Sequence, residues 1–200
     1  MPRDRAKTRA RILNAAYMLF HRKGFDRIGV DEIAVEASVT KRTLYNHFKS
    51  KDVLLAECLK AQNELALAGF KSWADRLSGS CEPMICEMFA ELSKWSAKPR
   101  WSGSGYTRVA MELADLPGHP ARVMAKQHKT MLEDYWTELL AKADVAAPRE
   151  KARTLLILSE GAMIMTLILG DRSYIATAER AARALVQSRS EKMRGRKGVR

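Results

Sequence analysis

Val30-Asp31-Glu32-Ile33-Ala34-Val35-Glu36-Ala37-Ser38-Val39-Thr40-Lys41-Arg42-Thr43-Leu44-Tyr45-Asn46-His47-Phe48 is the stretch on which the fold turns. Its first half fits a short helix. Gly29 is a tolerable N-cap, and Asp31 and Glu32 fall in a first turn, where the helix dipole favours carboxylates. Ser38-Val39 interrupts the pattern, and Thr40 caps a second short helix that ends near Phe48. Ile33, Ala34, Ala37, Val39, Leu44 and Phe48 can form one small shared core, since Leu44 and Phe48 are four apart and lie on one face. The other face presents Lys41, Arg42, Thr43, Tyr45, Asn46 and His47, nearly all hydrogen-bond donors. Two short helices at a steep angle, the second able to enter a groove about 12 Å wide, make a helix-turn-helix over about 29–48. Lys41 and Arg42 lie near the N-terminus of the second helix, where a major-groove reader meets base edges, and arginine pairs well with guanine O6 and N7. Tyr45, His47 and Lys51 are better placed for phosphate.

Helical periodicity continues on both sides of this stretch. Ile12, Ala15, Ala16, Leu19 and Phe20 mark one face of an earlier helix that Gly24 stops. Ser50 caps a long helix from Lys51 towards Leu77, with Leu54, Leu55, Cys58, Leu65, Phe70 and Trp73 available for burial. After a Ser78-Gly79-Ser80 loop, Pro83 sits in a first turn that accepts proline, followed by Met84, Ile85, Met88, Phe89, Leu92 and Trp95. Further helices fit about Tyr106 to Asp115, Pro120 to about Asp144, Pro148 to Gly170, and Tyr174 to about Ser188. Pro117-Gly118-His119-Pro120 is a clear breaker. No strand alternation competes, so the spacing predicts an all-α chain of about nine helices.

The chain of 200 residues carries a net charge of +12, and the excess lies at its ends. Residues 1–55 hold 12 basic and 6 acidic side chains, and residues 189–200 hold 6 and 1. A basic segment on a nearly neutral body suggests a polyanion such as duplex nucleic acid. The run Arg194-Gly195-Arg196-Lys197 reads as a disordered, solvated tail. The basic N-terminal arm, Arg3, Arg5, Lys7, Arg9 and Arg11, is open to two readings: Arg3 and Arg5 reach phosphate or a minor groove, or the arm is disordered and adds non-specific affinity. Gly161 to Gly170 is too short an uncharged apolar run to cross a bilayer, which takes roughly 18 residues. The basic start is followed by no apolar signal segment. Cys58, Cys81 and Cys86 make no disulfide scaffold, and the expectation is a cytoplasmic protein without a membrane partner. His21, His47, His119 and His128 lie far apart, and no Ser-His-Asp order, glycine-rich phosphate loop or HExxH occurs. An enzyme is therefore not expected, nor a metal or other cofactor. His119 with His128 as ligands, or Cys81 with Cys86 as a thiol pair, are poorly supported by spacing.

From Thr8 to Leu55 the chain resembles the DNA-binding domain of TetR-family transcriptional regulators. The resemblance rests on Arg11-Ile12-Leu13-Asn14-Ala15-Ala16, Phe20, Gly24-Phe25, Val30-Asp31-Glu32-Ile33-Ala34 and the run Thr40 to Asp52, with its Thr-Leu-Tyr-x-His-Phe-x-x-Lys string. It implies that Thr40, Thr43, Tyr45, His47 and Lys51 touch phosphate or orient the reading helix, while Lys41, Arg42 and Asn46 vary with the operator. Two departures stand out. Ile28-Gly29 stands where the family often has Thr-Ser, whose hydroxyls bind phosphate. Ser38 replaces the usual turn glycine, and in the left-handed region serine costs about 1 kcal/mol relative to glycine.

Beyond the first quarter the chain is apolar and nearly neutral. Leu155, Leu156, Ile157, Leu158, Ala162, Met163, Ile164, Met165, Leu167, Ile168 and Leu169 go right round one helix, so its outer face needs another subunit. The resemblance implies a dimer through the last two helices, and the expected interface is Leu156, Met163, Leu167, Ala178, Ala182 and Leu185. Two reading helices about 34–36 Å apart then call for a palindrome. The resemblance also implies a small-molecule inducer. Met88, Trp95, Tyr106, Met111, Met131, Tyr135 and Met163 are the expected lining, since methionine and aromatic side chains adapt to apolar ligands. The expected organisation is a DNA-binding domain at 5–65, a helical ligand-binding and dimerisation domain at 66–190, and a basic tail at 191–200. The expected function is repression, relieved by an apolar or aromatic inducer. The alternative is an architectural or redox-sensing DNA binder with no inducer.

Overall fold

The computed structural model describes residues 2–77 and 80–187, with backbone alone at Pro2, Arg3, Trp73 and Ala74. Expectations for the Arg3 and Trp73 side chains, the Ser78-Gly79 part of the loop and the basic tail, Arg194 to Lys197 included, lie outside the described residues. Among those residues there are nine helices and no strand. They are α1 (Pro2–Lys23), α2 (Val30–Glu36), α3 (Lys41–His47), α4 (Lys51–Arg76), α5 (Cys81–Ser96), α6 (Gly105–Glu112), α7 (Pro120–Lys142), α8 (Pro148–Leu169) and α9 (Ser173–Gln187). The terminators act as their chemistry dictates. Gly24 and Gly170 take left-handed backbone at φ 87° and 67°, closing α1 and α8. The Ser50 hydroxyl accepts from the Val53 amide at 3.1 Å and starts α4. α6 stops three residues before Asp115, because Leu113 has already left helical geometry at φ −108°, ψ 32°.

α1 begins much earlier than its apolar stripe. The basic stretch read as an arm is helical from Pro2, with Asp4 in the first turn, where it complements the dipole. Arg9 therefore points at protein: its guanidinium pairs with Glu57 and lies 5.1 Å from the Phe48 ring centroid. Arg5, Lys7 and Arg11 remain exposed on the same helix.

Two packing units form. The first comprises Met1–Leu67 with Ser104–His128, the second Ala68–Gly103 with Lys129–Arg200. This line differs from contiguous blocks at 5–65 and 66–190. Tyr106, Val109, Leu113, Ala121 and Ala125 bury in the same core as Ile12, Leu19, Ile33, Leu44, Phe48 and Leu54. Periodicity marks such residues as buried but does not say in which core. The second unit has its own core, in which Met84, Ile85, Phe89, Trp136, Leu140, Leu155 and Ala182 are sealed from solvent and α9 packs on α5 and α8.

α8 is long and apolar enough, by length and composition, to cross a bilayer. The shorter run Gly161 to Gly170 understated it. Here Ala152, Leu155, Ser159, Ala162, Met163 and Thr166 are buried in the second unit. Ile157, Ile164 and Ile168 stand 71%, 38% and 67% exposed on the other side.

Candidate nucleic-acid interface

The turn between α2 and α3 is closed by two backbone bonds. The Val39 amide donates to Ala34 O at 2.9 Å and the Ser38 amide to Val35 O at 3.0 Å. This is a Schellman arrangement, which places the residue after the C-cap in the left-handed region. That residue is Ser38, at φ 51°. Ser38→Gly is therefore expected to stabilise the fold by about 1 kcal/mol, read as a raised denaturant midpoint at unchanged slope.

Thr40 then caps α3. Its hydroxyl accepts from the Thr43 amide at 3.0 Å and lies 2.8 Å from the Thr43 hydroxyl. Leu44 is fully buried and Phe48 nearly so, and these two anchors fix the rotation of α3. Thr40, Lys41, Arg42, Tyr45 and Asn46 are consequently exposed, with Thr43 and His47 half-buried. All eight residues expected at DNA are thus brought together on α3 and at the start of α4, with Lys51 the first residue of α4.

Three features of this surface have no signature in the sequence. The Lys41 ammonium sits 3.1 Å from Asp31 Oδ2, an exposed pair. The Lys51 ammonium rests 4.1 Å from the Phe25 ring centroid, a cation–π contact that aims the side chain. The turn carrying Phe25 is in turn held by α6: Glu112 accepts from the Phe25 and Asp26 amides at 3.1 and 2.7 Å, and Arg108 donates to His21 O at 2.7 Å. Desolvation, helped by the Arg5 and Arg9 guanidiniums, lowers the His47 pKa below its ordinary 6.5. A neutral imidazole at pH 7 can still donate one hydrogen bond to a phosphate oxygen. Ile28 and Gly29, where the family often carries hydroxyls, are a buried core residue and an N-cap without a side-chain bond.

The other histidines serve the fold. His119 Nδ1 accepts from the Ala121 amide at 3.1 Å and caps α7, which puts the ring proton on Nε2. That Nε2 lies 3.4 Å from Asp52 Oδ1, without the geometry of a hydrogen bond. His128 is buried, stacks on Tyr106 with centroids 3.7 Å apart, and meets Asn63 Oδ1 at 2.6 Å. Cys58 is buried, and desolvation, with Glu57 adding to it, pushes its thiol up to about 12. Cys81 and Cys86 are five residues apart on α5, about 140° round the helix, which does not suit a thiol pair.

The expected ligand and interface residues are sorted differently. Met88 and Met163 are buried in the second unit and Met131 is half-buried there. Trp95 packs edge-on against Trp101, and the Tyr135 hydroxyl donates to Phe70 O at 3.2 Å. Tyr106 belongs instead to the first unit's core, its hydroxyl donating to Leu59 O at 2.8 Å. Met111, 68% exposed, lines no interior. Of the interface set, Met163, Ala178 and Ala182 are buried within the chain. Leu167 is exposed, while Leu156 and Leu185 are half-buried. The outward stripe is Ile157, Gly161, Ile164 and Ile168, spaced four, three and four apart, with Ala181 and Ala184 exposed on α9. An all-round apolar helix does not reveal which of its faces turns inward.

The sequence model of bacterial regulatory proteins, tetR family, matches residues 12–58. The Tn10 transposon TetC protein of Escherichia coli is 45% identical over 51 residues, 26% of each chain. The regulator UidR of E. coli K12 is 37% identical over 71 residues, 36% of each. The chain thus spans about a quarter to just over a third of the length of these curated relatives. A solved TetR-family transcriptional regulator from Streptomyces coelicolor, SCO4454, superposes with a TM-score of 0.79 at 24% identity, over 92% of this chain and 96% of its own. That likeness establishes the fold along nearly the whole chain.

Proposed function

We propose that the chain, which carries the helix-turn-helix of bacterial regulatory proteins of the tetR family at residues 12–58 within the helical fold of such regulators, represses transcription by binding a palindromic operator as a homodimer in the cytoplasm. The observation that carries this reading is α3, anchored by Leu44 and Phe48 with Lys41, Arg42, Tyr45 and Asn46 turned outward. Arg42 and Lys41 read base edges, Asn46 contributes with the operator sequence, and Thr40, Thr43, Tyr45, His47 and Lys51 hold phosphate. The partner copy sits on the Ile157–Gly161–Ile164–Ile168 stripe with the exposed alanines of α9.

Release follows from a small apolar or aromatic inducer in the second unit, near Met88, Met131, Tyr135 and Met163. It acts by favouring a conformer in which α4, whose first residue is Lys51, no longer presents the two reading heads in register. A redox-sensing binder is disfavoured by the protonated, buried Cys58 and the diverging Cys81 and Cys86.

Selection of random duplexes by the purified chain tests the reading. An inverted repeat is the expected product, with a specificity ratio of roughly a thousand-fold or more. Arg42→Ala should cost about 1–3 kcal/mol at one symmetric position. A non-palindromic or unselective result overturns the proposal, and an equal loss on every sequence makes Arg42 a backbone contact.

A further inference from the structure

Within the first unit, α1, α4 and α6 line a half-open cavity of about 40 Å3. Phe20, Phe25, Leu55, Cys58, Leu59 and Val109 give it apolar walls, and the Cys58 thiol among them stays protonated. Its rim has the opposite character. Arg108 and Glu112 border the cavity and also an open cleft completed by Arg22, Lys23, Gly24 and Arg27. Four cations thus face one carboxylate. Lys23 is paired with Glu32, and the Glu112 oxygens are turned onto the Phe25 and Asp26 amides, so Arg22, Arg27 and Arg108 dominate the mouth.

An apolar recess with a guanidinium-lined entrance complements one class of molecule, a carboxylate on a short apolar tail. The recess, at about 40 Å3, takes little more than one water-sized group, whose share is about 30 Å3, so only the end of a short tail enters it and the rest lies in its open mouth. We propose that this cavity is an effector site for a short-chain organic acid, its carboxylate among Arg22, Arg27 and Arg108 and its tail against Val109 and Leu59. A carboxylate at Arg108 competes with the His21 carbonyl that this guanidinium now holds. α6 then loosens its grip on the turn that carries Phe25, the ring beneath the Lys51 ammonium. Occupancy therefore weakens DNA binding. That consequence rests on the operator-binding reading, whereas ligand binding itself does not.

The test is titration of the full chain, without DNA, by calorimetry and saturation-transfer NMR with acetate, propionate, butyrate, 1-butanol and inorganic phosphate. The expected result is affinity rising from acetate to butyrate by at most about fourfold per methylene, the value for full burial, with butanol and phosphate at least tenfold weaker than butyrate. Arg27→Glu, at an exposed position, should weaken butyrate at least fivefold and leave butanol unchanged. Val109→Phe should remove the chain-length dependence. Should that variant fail to fold, Arg27→Glu still decides. Equal affinity for phosphate and butyrate, no gain with tail length, or butyrate binding unaltered by Arg27→Glu overturns the proposal. If Arg27→Glu weakens only binding to the selected duplex, the cleft is a DNA-phosphate surface instead. In a last arm, butyrate should lower the affinity of the wild-type chain for that duplex. Butyrate bound with that affinity unchanged overturns its role as an effector.

Discussion

Ile164→Glu combined with Ile168→Glu is expected to leave a folded monomer whose operator affinity is about a hundred- to ten-thousand-fold weaker. Both side chains are exposed within the chain, so the substitutions leave the second unit's core intact. In the proposed dimer they would bury two carboxylates per subunit against a stripe of isoleucines and alanines, which association does not tolerate. Gly161, one turn before Ile164 on the same stripe, has open space where a side chain would be, so a partner helix can approach closely. The DNA loss follows from linkage. A dimer's second half-site contact is intramolecular, with an effective concentration that raises affinity by about two to four orders of magnitude. Sedimentation against concentration and binding to full and half operators check both parts. A variant that stays dimeric would move the interface elsewhere.

Leu44→Ala should do the reverse, abolishing DNA binding while the dimer persists. Leu44 is fully buried in the first unit, and truncations of this kind cost about 2–5 kcal/mol, depending on how far the cavity collapses. Its neighbours Lys41 and Arg42 lose the rotation that turns them outward. The four tryptophans, Trp73, Trp95, Trp101 and Trp136, all belong to the second unit. Tryptophan fluorescence is therefore blind to the first unit, whereas far-UV circular dichroism sees both. The expected signature is an early dichroism transition in denaturant ahead of a fluorescence transition near the wild-type midpoint. Coincident transitions would mean that the two cores unfold as one.

The sequence was most legible where local chemistry acts alone. Thr40, Ser50, Gly24, Pro148 and Gly170 each bound a helix as their side chains or backbone freedom require, and Leu44 with Phe48 correctly oriented α3. Legibility fell wherever a choice depended on distant partners. Ala178 and Ala182 are small residues on α9, as a close helix contact demands, but the contact they serve is inside the chain. Met111 shares its residue type with a pocket lining and yet faces solvent. Arg9 reads as one more arm cation until Glu57 and Phe48, far away in sequence, are brought against it. The grip of Glu112 on the Phe25 turn spans 87 positions and leaves no periodic trace.

The contact between Lys41 and Asp31 bears on how the reading head responds to ionic strength. In the unbound protein this ammonium already has an anion at hand, supplied by the chain itself. In the proposed complex Lys41 exchanges this carboxylate for a base edge, and the displaced carboxylate is left to water and mobile cations. Counterion release from the duplex is thereby partly repaid by counterion uptake on the protein. Lys41 should thus add less than a full unit to the logarithmic salt slope. Asp31 acts as a tethered competitor that disfavours casual attachment to any duplex, and only a site that also satisfies Arg42 offsets its loss.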